Sequence, residues 1–220
     1  MSKALNQSAF WKEEGGAHRL HCGALEARLS TAQPGQGIAQ LTLAKQTLAG
    51  SLLAVTADEG PLPDPIESYL RGQDLVSTHP PNDRFPFRTQ LYWSAFELSQ
   101  AEGVAVTLSV SLQTHLLDTQ PSLSITSSLG AAEPINPGLI RIDLPGSNAA
   151  FLAVHPSDVA ETNHLSDGDR HTITLSPPML EKGVIRRCRL AALLFPSSPT
   201  EQQLEAALER FASAPLPLTA

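Results

Sequence analysis

Apolar and polar residues alternate strictly over one central stretch of the sequence, from Gly103 to Gln113. Every second position is apolar, and the residues between are mostly small or polar; the apolar positions are Val104, Val106, Leu108, Val110 and Leu112. In an extended chain, successive side chains point to opposite faces, so a period of two places these five residues on one face. The stretch predicts a β-strand with one buried and one solvent-facing side.

Shorter stretches with related patterns surround this strand and are separated by turn-forming residues. We predict strands at 25–29, 38–43, 48–56, 88–98, 122–127, 139–144, 150–155, 171–176 and 184–195. Proline- and glycine-containing breaks fall at 61–65, 80–83, 133–138, 145–146 and 167–168. About ten short strands with regular breaks are typical of a sandwich or barrel. We therefore predict a mainly β, antiparallel sandwich that forms a single domain over residues 1–220.

One α-helix is predicted near the end of the sequence. Ser198-Pro199-Thr200-Glu201 fits an N-cap, a proline in the first turn and a capping-box glutamate. Leu204, Leu208 and Phe211 then fall on one helical face. Pro215 prevents the helix from continuing. The pattern indicates a C-terminal helix that packs on a sheet.

Composition and charge exclude several classes of partner. The chain of 220 residues is 41% hydrophobic, carries only 17% charged residues and has a net charge of −7. A negative surface repels phosphate backbones, so we expect no nucleic-acid partner.

The N-terminal residues lack the apolar region of a secretory signal, and the run Leu190–Phe195 is too short to span a bilayer. We expect a cytoplasmic protein without membrane contact; the sequence leaves its oligomeric state open.

The chain has two cysteines, Cys22 and Cys188, and lacks both CxxC and metal-ligand spacing. We therefore expect no structural zinc. Two interpretations of the cysteines stay open: buried free thiols in a reducing compartment, or one disulfide joining the first and last strands. The sequence also lacks GxGxxG, GxxxxGK[ST], HExxH and GxSxG, so we expect neither a nucleotide cofactor nor zinc-protease chemistry.

The first group of candidate binding residues lies between positions 71 and 93. It comprises Arg71, His79, Arg84, Tyr92 and Trp93. Polar groups of this kind could hydrogen-bond hydroxyls while an aromatic ring stacks on a sugar. The alternative is a solvated loop held by Asp–Arg pairs beside two core aromatic residues.

A second group runs from His155 through Asp158 and His164 to His171 and includes several carboxylates. Histidine titrates near neutral pH, so His155 and His164 are candidates for acid–base chemistry. The spacing of a calcium loop is missing, and we predict no metal site. The alternative interpretation is an ordinary polar loop.

The triplet Thr162-Asn163-His164 is similar to a Thr-Asn-His stretch that carries a histidine in aldose epimerases. The order of elements also resembles the galactose-mutarotase-like domains, which are large antiparallel supersandwiches that bind sugars. The resemblance implies His164 as a general acid and Glu181 as a base for ring opening, with Arg71 binding a sugar hydroxyl.

Three hypotheses for function remain open. The first is a non-catalytic carbohydrate-binding or interaction domain, with the Tyr92 and Trp93 region lining a groove. The second is an epimerase-like enzyme, which requires His155 or His164 and a carboxylate at one ligand position. The third is a purely structural role.

Overall fold

The computed structural model describes residues 9–58, 60–98 and 103–216 and contains two antiparallel sheets packed face to face. Strands are numbered along the chain. The first sheet has the order β1 (Phe10–Glu14), β2 (Ala17–Cys22), β3 (Leu25–Leu29), β4 (Ile38–Leu43), β6 (Ser51–Ala57), β11 (Leu123–Ser128), β16 (Arg170–Leu175) and β15 (Thr162–Asp167), with β5 (Gln46–Leu48) paired to β4. The second has the order β12 (Ala132–Asn136), β13 (Leu139–Asp143), β14 (Ala149–Val154), β17 (Ile185–Phe195), β10 (Gly103–Thr114), β9 (Phe87–Leu98), β8 (Asp74–His79) and β7 (Glu67–Arg71). The predicted mainly β sandwich with a C-terminal helix is confirmed.

The main hydrophobic core lies between the two sheets and is built from alternate residues of their strands. The alternation predicted for β10 is confirmed, and its apolar face from Val104 to Leu112 is buried. Its other face is also largely buried, so the predicted solvent-facing side was wrong. Ser109 and Ser111 are small and lie directly beside Arg189 and Arg187 of β17, whose long side chains can cover them.

The C-terminal helix α1 (Glu201–Ser213) covers part of the outer face of the second sheet. Ala207 and Phe211 are buried in a second apolar cluster with residues such as Phe151 and Phe195. The helix begins two residues later than the sequence pattern predicts. Thr200 is the N-cap: its side chain accepts from the Gln203 N–H, and the Gln203 side chain accepts from the Thr200 N–H, which forms a reciprocal capping box.

Six strands were not predicted, namely β1, β2, β7, β8, β12 and β15. Three of them, β7, β12 and β15, are partly buried or exposed at every position, and they lie at sheet edges where no apolar alternation is required. The strand predicted at 48–56 is divided between β5 and β6. Gly50 separates them with φ of +110°, and a Cβ there would overlap the Ser128 carbonyl oxygen.

The two cysteines are buried free thiols, so the alternative of a disulfide that joins them was wrong. Burial is the main cause that raises the pKa of both Cys22 and Cys188 to about 12. Both thiols therefore stay protonated at neutral pH. Within the described ranges, none of the helices has the length and apolar character needed to cross a bilayer.

Candidate functional site

A cleft of about 460 Å³ opens between the edges of the two sheets, where β15 faces β12 and β13. We call it the edge cleft. Its lining residues come from both sheets and from the short turn after β14; they are Pro134, Ile135, Asn136, Pro137, Gly138, Ile140, Val154, Val159, Thr162, Asn163, His164 and Ile173. None of them is an Asp, Glu, Lys or Arg. Among the residues that the structure describes, the cleft therefore has an uncharged lining in which His164 is the titratable side chain.

The edge cleft combines an aliphatic floor with a few polar side chains. Ile140, Val154 and Ile173 are almost fully buried and belong to the main core. The polar groups among the lining residues are Asn136, Thr162, Asn163 and His164. All three residues of the Thr-Asn-His triplet thus line one cleft. Aliphatic surface with a few convergent polar groups is typical of small-ligand sites.

A tight hairpin places the histidine of this cleft. Asp167 pairs with Arg170 across a two-residue turn at Gly168-Asp169, and Gly168 has the positive φ (+61°) that such turns require. Counting back from the turn, Ser166 lies opposite His171 and His164 opposite Ile173. Since alternate residues share a face, His164, Ser166 and His171 all lie on the side of the buried Ile173.

The three side chains form a continuous hydrogen-bonded chain. The Nε2 atom of His171 lies 2.7 Å from the Gly130 carbonyl oxygen, and its Nδ1 atom lies 3.0 Å from Ser166 Oγ. Ser166 Oγ lies 3.1 Å from His164 Nε2. A carbonyl only accepts, so neutral His171 carries its proton on Nε2 and presents a lone pair on Nδ1. Ser166 therefore donates to His171, and His164 donates to Ser166.

The environment of His164 favours its neutral form. Burial is the main cause that lowers the pKa of His164, and the neighbouring His171 lowers it further. The two rings lie 6.0 Å apart between centroids. A neutral imidazole can both donate and accept a hydrogen bond, which suits the recognition of a hydroxyl group.

His155 lies in a different environment, beneath the C-terminal helix. His155 Nδ1 accepts from the Ser157 backbone N–H at 3.2 Å and lies 2.8 Å from Ser157 Oγ, and Arg189 Nη2 lies 2.6 Å from His155 Nε2. The Ala212 carbonyl oxygen lies 3.0 Å from the same Nε2 atom. The ring also meets Phe211 edge to face, with 5.7 Å between centroids.

A buried carboxylate continues this arrangement. Asp158, only 2% exposed, accepts from Ser157 Oγ at 3.0 Å and from the Arg189 backbone N–H at 2.9 Å. It also lies 3.3 Å from Arg186, which pairs with Glu161 at 2.7 Å. We call His155, Ser157, Asp158, Glu161, Arg186 and Arg189 the helix-anchor cluster. Its groups satisfy one another and connect α1 to β17.

The structure does not bring Glu181 to His164. Glu181 is exposed in a turn before β17, where its carbonyl oxygen accepts from the Val184 N–H. It does not line the edge cleft and makes no hydrogen bond or ion pair with His164. His155 and His164 are also separate: the first lies in the helix-anchor cluster and the second in the cleft.

The candidate binding residues between positions 71 and 93 are divided among several environments. Trp93 lies in the core between the sheets, whereas Tyr92 is on the outer face of the second sheet, and each ring is 1% exposed. Burial is the main cause that raises the pKa of Tyr92, while Arg71 and Arg187 act in the opposite direction. Arg71 and Tyr92 are thus close together, but neither aromatic ring offers an open face for stacking.

His79 and Arg84 lie apart from this pair. His79 is fully buried; its Nδ1 atom lies 2.7 Å from the Pro63 carbonyl oxygen, and burial lowers its pKa. Arg84 is exposed in the loop before β9, where its backbone N–H donates to Asn82 Oδ1. Within the described part of the chain, no group of three His, Cys, Asp or Glu residues could hold a metal ion.

The sequence does not single out Ser166, and it places His171 at the start of the strand predicted at 171–176 without a partner. The missing signal was the short hairpin. Asp167-Gly168 predicts a tight turn, and strand pairing on its two sides can be counted from that turn, one residue of each strand at a time. That count alone places Ser166 opposite His171 and aligns it with His164.

The fold defines the class of protein as an antiparallel β-sandwich related in architecture to domains of larger proteins. Heparan sulfate lyase HepC from Pedobacter heparinus matches with a TM-score of 0.55, 9% identity and coverage of 91% of this chain and 38% of its own. A protein described as a kojibiose phosphorylase, from the human microbiome, matches with a TM-score of 0.52, 9% identity and coverage of 77% and 26%.

YidC from Thermotoga maritima matches with a TM-score of 0.50, 12% identity and coverage of 93% of this chain and 55% of its own. The chain thus spans between about a quarter and about half of these proteins. No family model matches the sequence, and no curated protein matches it. The likeness concerns the fold, and the narrower resemblance to galactose-mutarotase-like domains stays a prediction.

Proposed function

We propose that this chain is a carbohydrate-binding domain that holds a neutral sugar in the edge cleft. One observation carries the proposal: a cleft of about 460 Å³ combines an aliphatic floor with four uncharged polar side chains, and none of its described lining residues is Asp, Glu, Lys or Arg. Its volume lies in the range of about 300–1,000 Å³ that is common for small-ligand sites. A charged ligand would lose its hydration there without gaining a counter-charge.

Each polar group has a defined part in this proposal. Asn136 and Asn163 offer amide donors and acceptors to sugar hydroxyls. Thr162 donates its hydroxyl proton to the Val159 carbonyl oxygen at 2.9 Å, so its remaining lone pairs accept from the ligand. His164 uses one nitrogen on Ser166 and can direct the other to the sugar. The aliphatic floor packs against the C–H face of the ring.

The structural neighbours give the proposal further support. Two of the proteins with a similar fold are described as acting on carbohydrates, one as a heparan sulfate lyase and one as a kojibiose phosphorylase. Residues 1–220 would then form one binding domain without a cofactor. A cytoplasmic location without nucleic-acid partners fits the net charge of −7 and the two free thiols.

An epimerase-like enzyme is the second candidate, because all three residues of the Thr-Asn-His triplet line the edge cleft. Such an enzyme needs a carboxylate near His164 when the sugar is bound. Glu181 would have to move from its exposed turn to supply it. Polarimetry on freshly dissolved glucose and galactose distinguishes the two candidates: catalysed mutarotation that is lost in Glu181→Gln favours the enzyme.

Saturation-transfer NMR with a panel of neutral monosaccharides tests binding. We expect signal transfer to at least one sugar and a Kd about fivefold weaker in Thr162→Val, because one hydrogen bond is worth about 1 kcal/mol. Thr174→Val, in the partner strand of the same hairpin but outside the cleft lining, is the matched control and keeps the wild-type Kd. Absence of transfer to every sugar, or equal weakening by both variants, would contradict the proposal.

A further inference from the structure

The series of hydrogen bonds beside the edge cleft places Ser166 next to a histidine base, as in enzymes with an activated serine. We propose that Ser166 is a nucleophile and His171 its general base, and that together they hydrolyse carboxylic esters of an alcohol seated in the edge cleft. The identity of that alcohol as a sugar rests on the proposed function. The assignment of nucleophile and base rests on the hairpin geometry alone.

The direction of the hydrogen bonds assigns these roles. A nucleophile and its base are recognised when they lie within about 2.6–3.2 Å and a third group orients the base. Ser166 Oγ lies 3.0 Å from His171 Nδ1, and the Gly130 carbonyl oxygen holds His171 Nε2 at 2.7 Å. The carbonyl fixes the tautomer, so the Nδ1 lone pair points at the serine proton.

The base is buried and the nucleophile is exposed, as the reaction requires. His171 is fully buried and therefore held in one orientation, whereas Ser166 is exposed on the edge strand β15. The remaining lone pairs of Ser166 Oγ face away from His171, toward His164 and solvent. An ester carbonyl can thus approach the hydroxyl without displacing its base.

His164 supplies the third part of the site. Its Nε2 atom lies 3.1 Å from Ser166 Oγ, so an ester carbon that bonds to this oxygen brings its carbonyl oxygen near the Nε2–H. A donor there stabilises the developing oxyanion. His164 also lines the edge cleft, so the alcohol part of the ester would lie in the cleft and the acyl group toward the turn at Gly168.

The reaction balances with water as the second substrate. Ser166 Oγ bonds to the ester carbon while its proton passes to His171 Nδ1. The C–O bond to the alcohol then breaks, and the alkoxide takes that proton and leaves as a free alcohol. Water attacks the acyl-serine, gives a proton to His171 and releases the carboxylic acid, and the serine recovers its proton.

A fluorophosphonate probe with a fluorophore tests the nucleophile. We expect covalent labelling of the full chain, located at Ser166 by mass spectrometry of the digested protein, and hydrolysis of p-nitrophenyl acetate above the buffer rate. Ser166→Ala should abolish both signals. His171→Gln should slow labelling about 100-fold, which is typical for loss of a general base.

Ser124→Ala is the matched control, because Ser124 lies in β11 on the other side of β16 and has no histidine partner. It should label like the wild type. Labelling that persists in Ser166→Ala, labelling that is equal in folded His171→Gln, or no labelling at all would overturn the proposal. Labelling by the probe requires no sugar in the edge cleft, so failure of sugar binding in the NMR experiment and failure of the nucleophile in the labelling experiment are distinguishable.

A second comparison avoids any folding defect of His171→Gln. Ser166→Cys and Ser124→Cys are reacted with iodoacetamide at neutral pH. A thiol beside a base forms more thiolate, so Cys at position 166 should react at least about tenfold faster than at position 124. The background is low, because burial raises the pKa of Cys22 and Cys188 to about 12. Equal rates would contradict the role of His171.

Discussion

The edge cleft and the helix-anchor cluster contain the same short pattern, a histidine followed two residues later by a serine. In the helix-anchor cluster, the chain from His155 through Ser157 ends on the buried carboxylate of Asp158. Beside the edge cleft, the series of hydrogen bonds from His164 through Ser166 ends on a second histidine, His171. Identical spacing therefore leads to two different electrostatic environments.

The difference lies in what covers each histidine. The α1 helix closes over His155, and Arg189 and Ser157 contact its two nitrogens. His164 is half-buried, faces an uncharged cleft and makes one hydrogen bond with a side chain. His155, whose two ring nitrogens both have partners and which a helix covers, stabilises the fold. His164, which turns a ring nitrogen to the cleft, can recognise a ligand.

Removal of the buried carboxylate should give the largest effect. Asp158→Ala leaves the Arg189 backbone N–H and Ser157 Oγ without their acceptor and removes one of the two carboxylates that pair with Arg186. We expect the free energy of unfolding to fall by about 3 kcal/mol, as is usual when one partner of a buried charge pair is removed.

Urea denaturation measures this change, and Asp143→Ala is its control. Asp143 pairs with Arg141 on the surface and its side chain is 74% exposed, so we expect a change below about 0.5 kcal/mol. Equal effects of the two substitutions would show that the helix-anchor cluster contributes no more to the free energy of unfolding than a surface ion pair does.

Substitution of the two histidines compares the regions directly. His155→Ala removes a buried ring that contacts Arg189, Ser157 and Phe211, and should cost about 2 kcal/mol of unfolding free energy. His164→Ala removes one part-exposed hydrogen bond and should cost about 0.5 kcal/mol. Thermal unfolding followed by circular dichroism ranks the two variants, and the reverse order would break the comparison.

The smallest effect concerns the titration of His164. Its folded pKa lies below the ordinary value of 6.5, so as pH falls from that value the unfolded chain binds a proton first and the folded state loses stability. The loss is complete below the folded pKa. In His171→Gln the charge contribution disappears while burial remains, so the pKa of His164 should rise but stay below 6.5. Imidazole NMR titration measures it, and an unchanged value would show that the two rings are not coupled.

Much of the sandwich was predictable because its central strands must bury one face. The alternation from Val104 to Leu112 follows directly from that requirement, because these residues belong to the main core. The edge strands β7, β12 and β15 have no such requirement, so their polar sequences resemble loops. The cap of α1 lies at Thr200, where Gln203 completes the capping box, although Ser198 has an equally suitable residue, Glu201, three positions later.

The candidate site was only partly predictable for the same reason. His164 was identified from its type and from the Thr-Asn-His triplet, but its partners depend on strand pairing across the hairpin. Glu181 and His155 are chemically suitable residues that the topology places elsewhere. Trp93 and His79 were chosen as contact residues, and both are buried where the two sheets meet. Residue type indicates which side chains could take part in a site, whereas the register of strand pairing determines which side chains are in contact.

One wall of the edge cleft is the last strand of its sheet, and this position has a consequence for how a ligand enters. β15 is hydrogen-bonded to β16 and ends the first sheet. A terminal strand separates from its sheet at a lower free-energy cost than a central one, so its amide protons exchange with solvent sooner. Such brief openings of the hairpin give a molecule a way into the cleft. A molecule that bridges Thr162 of the first sheet and Asn136 of the second would then hold the two sheet edges together.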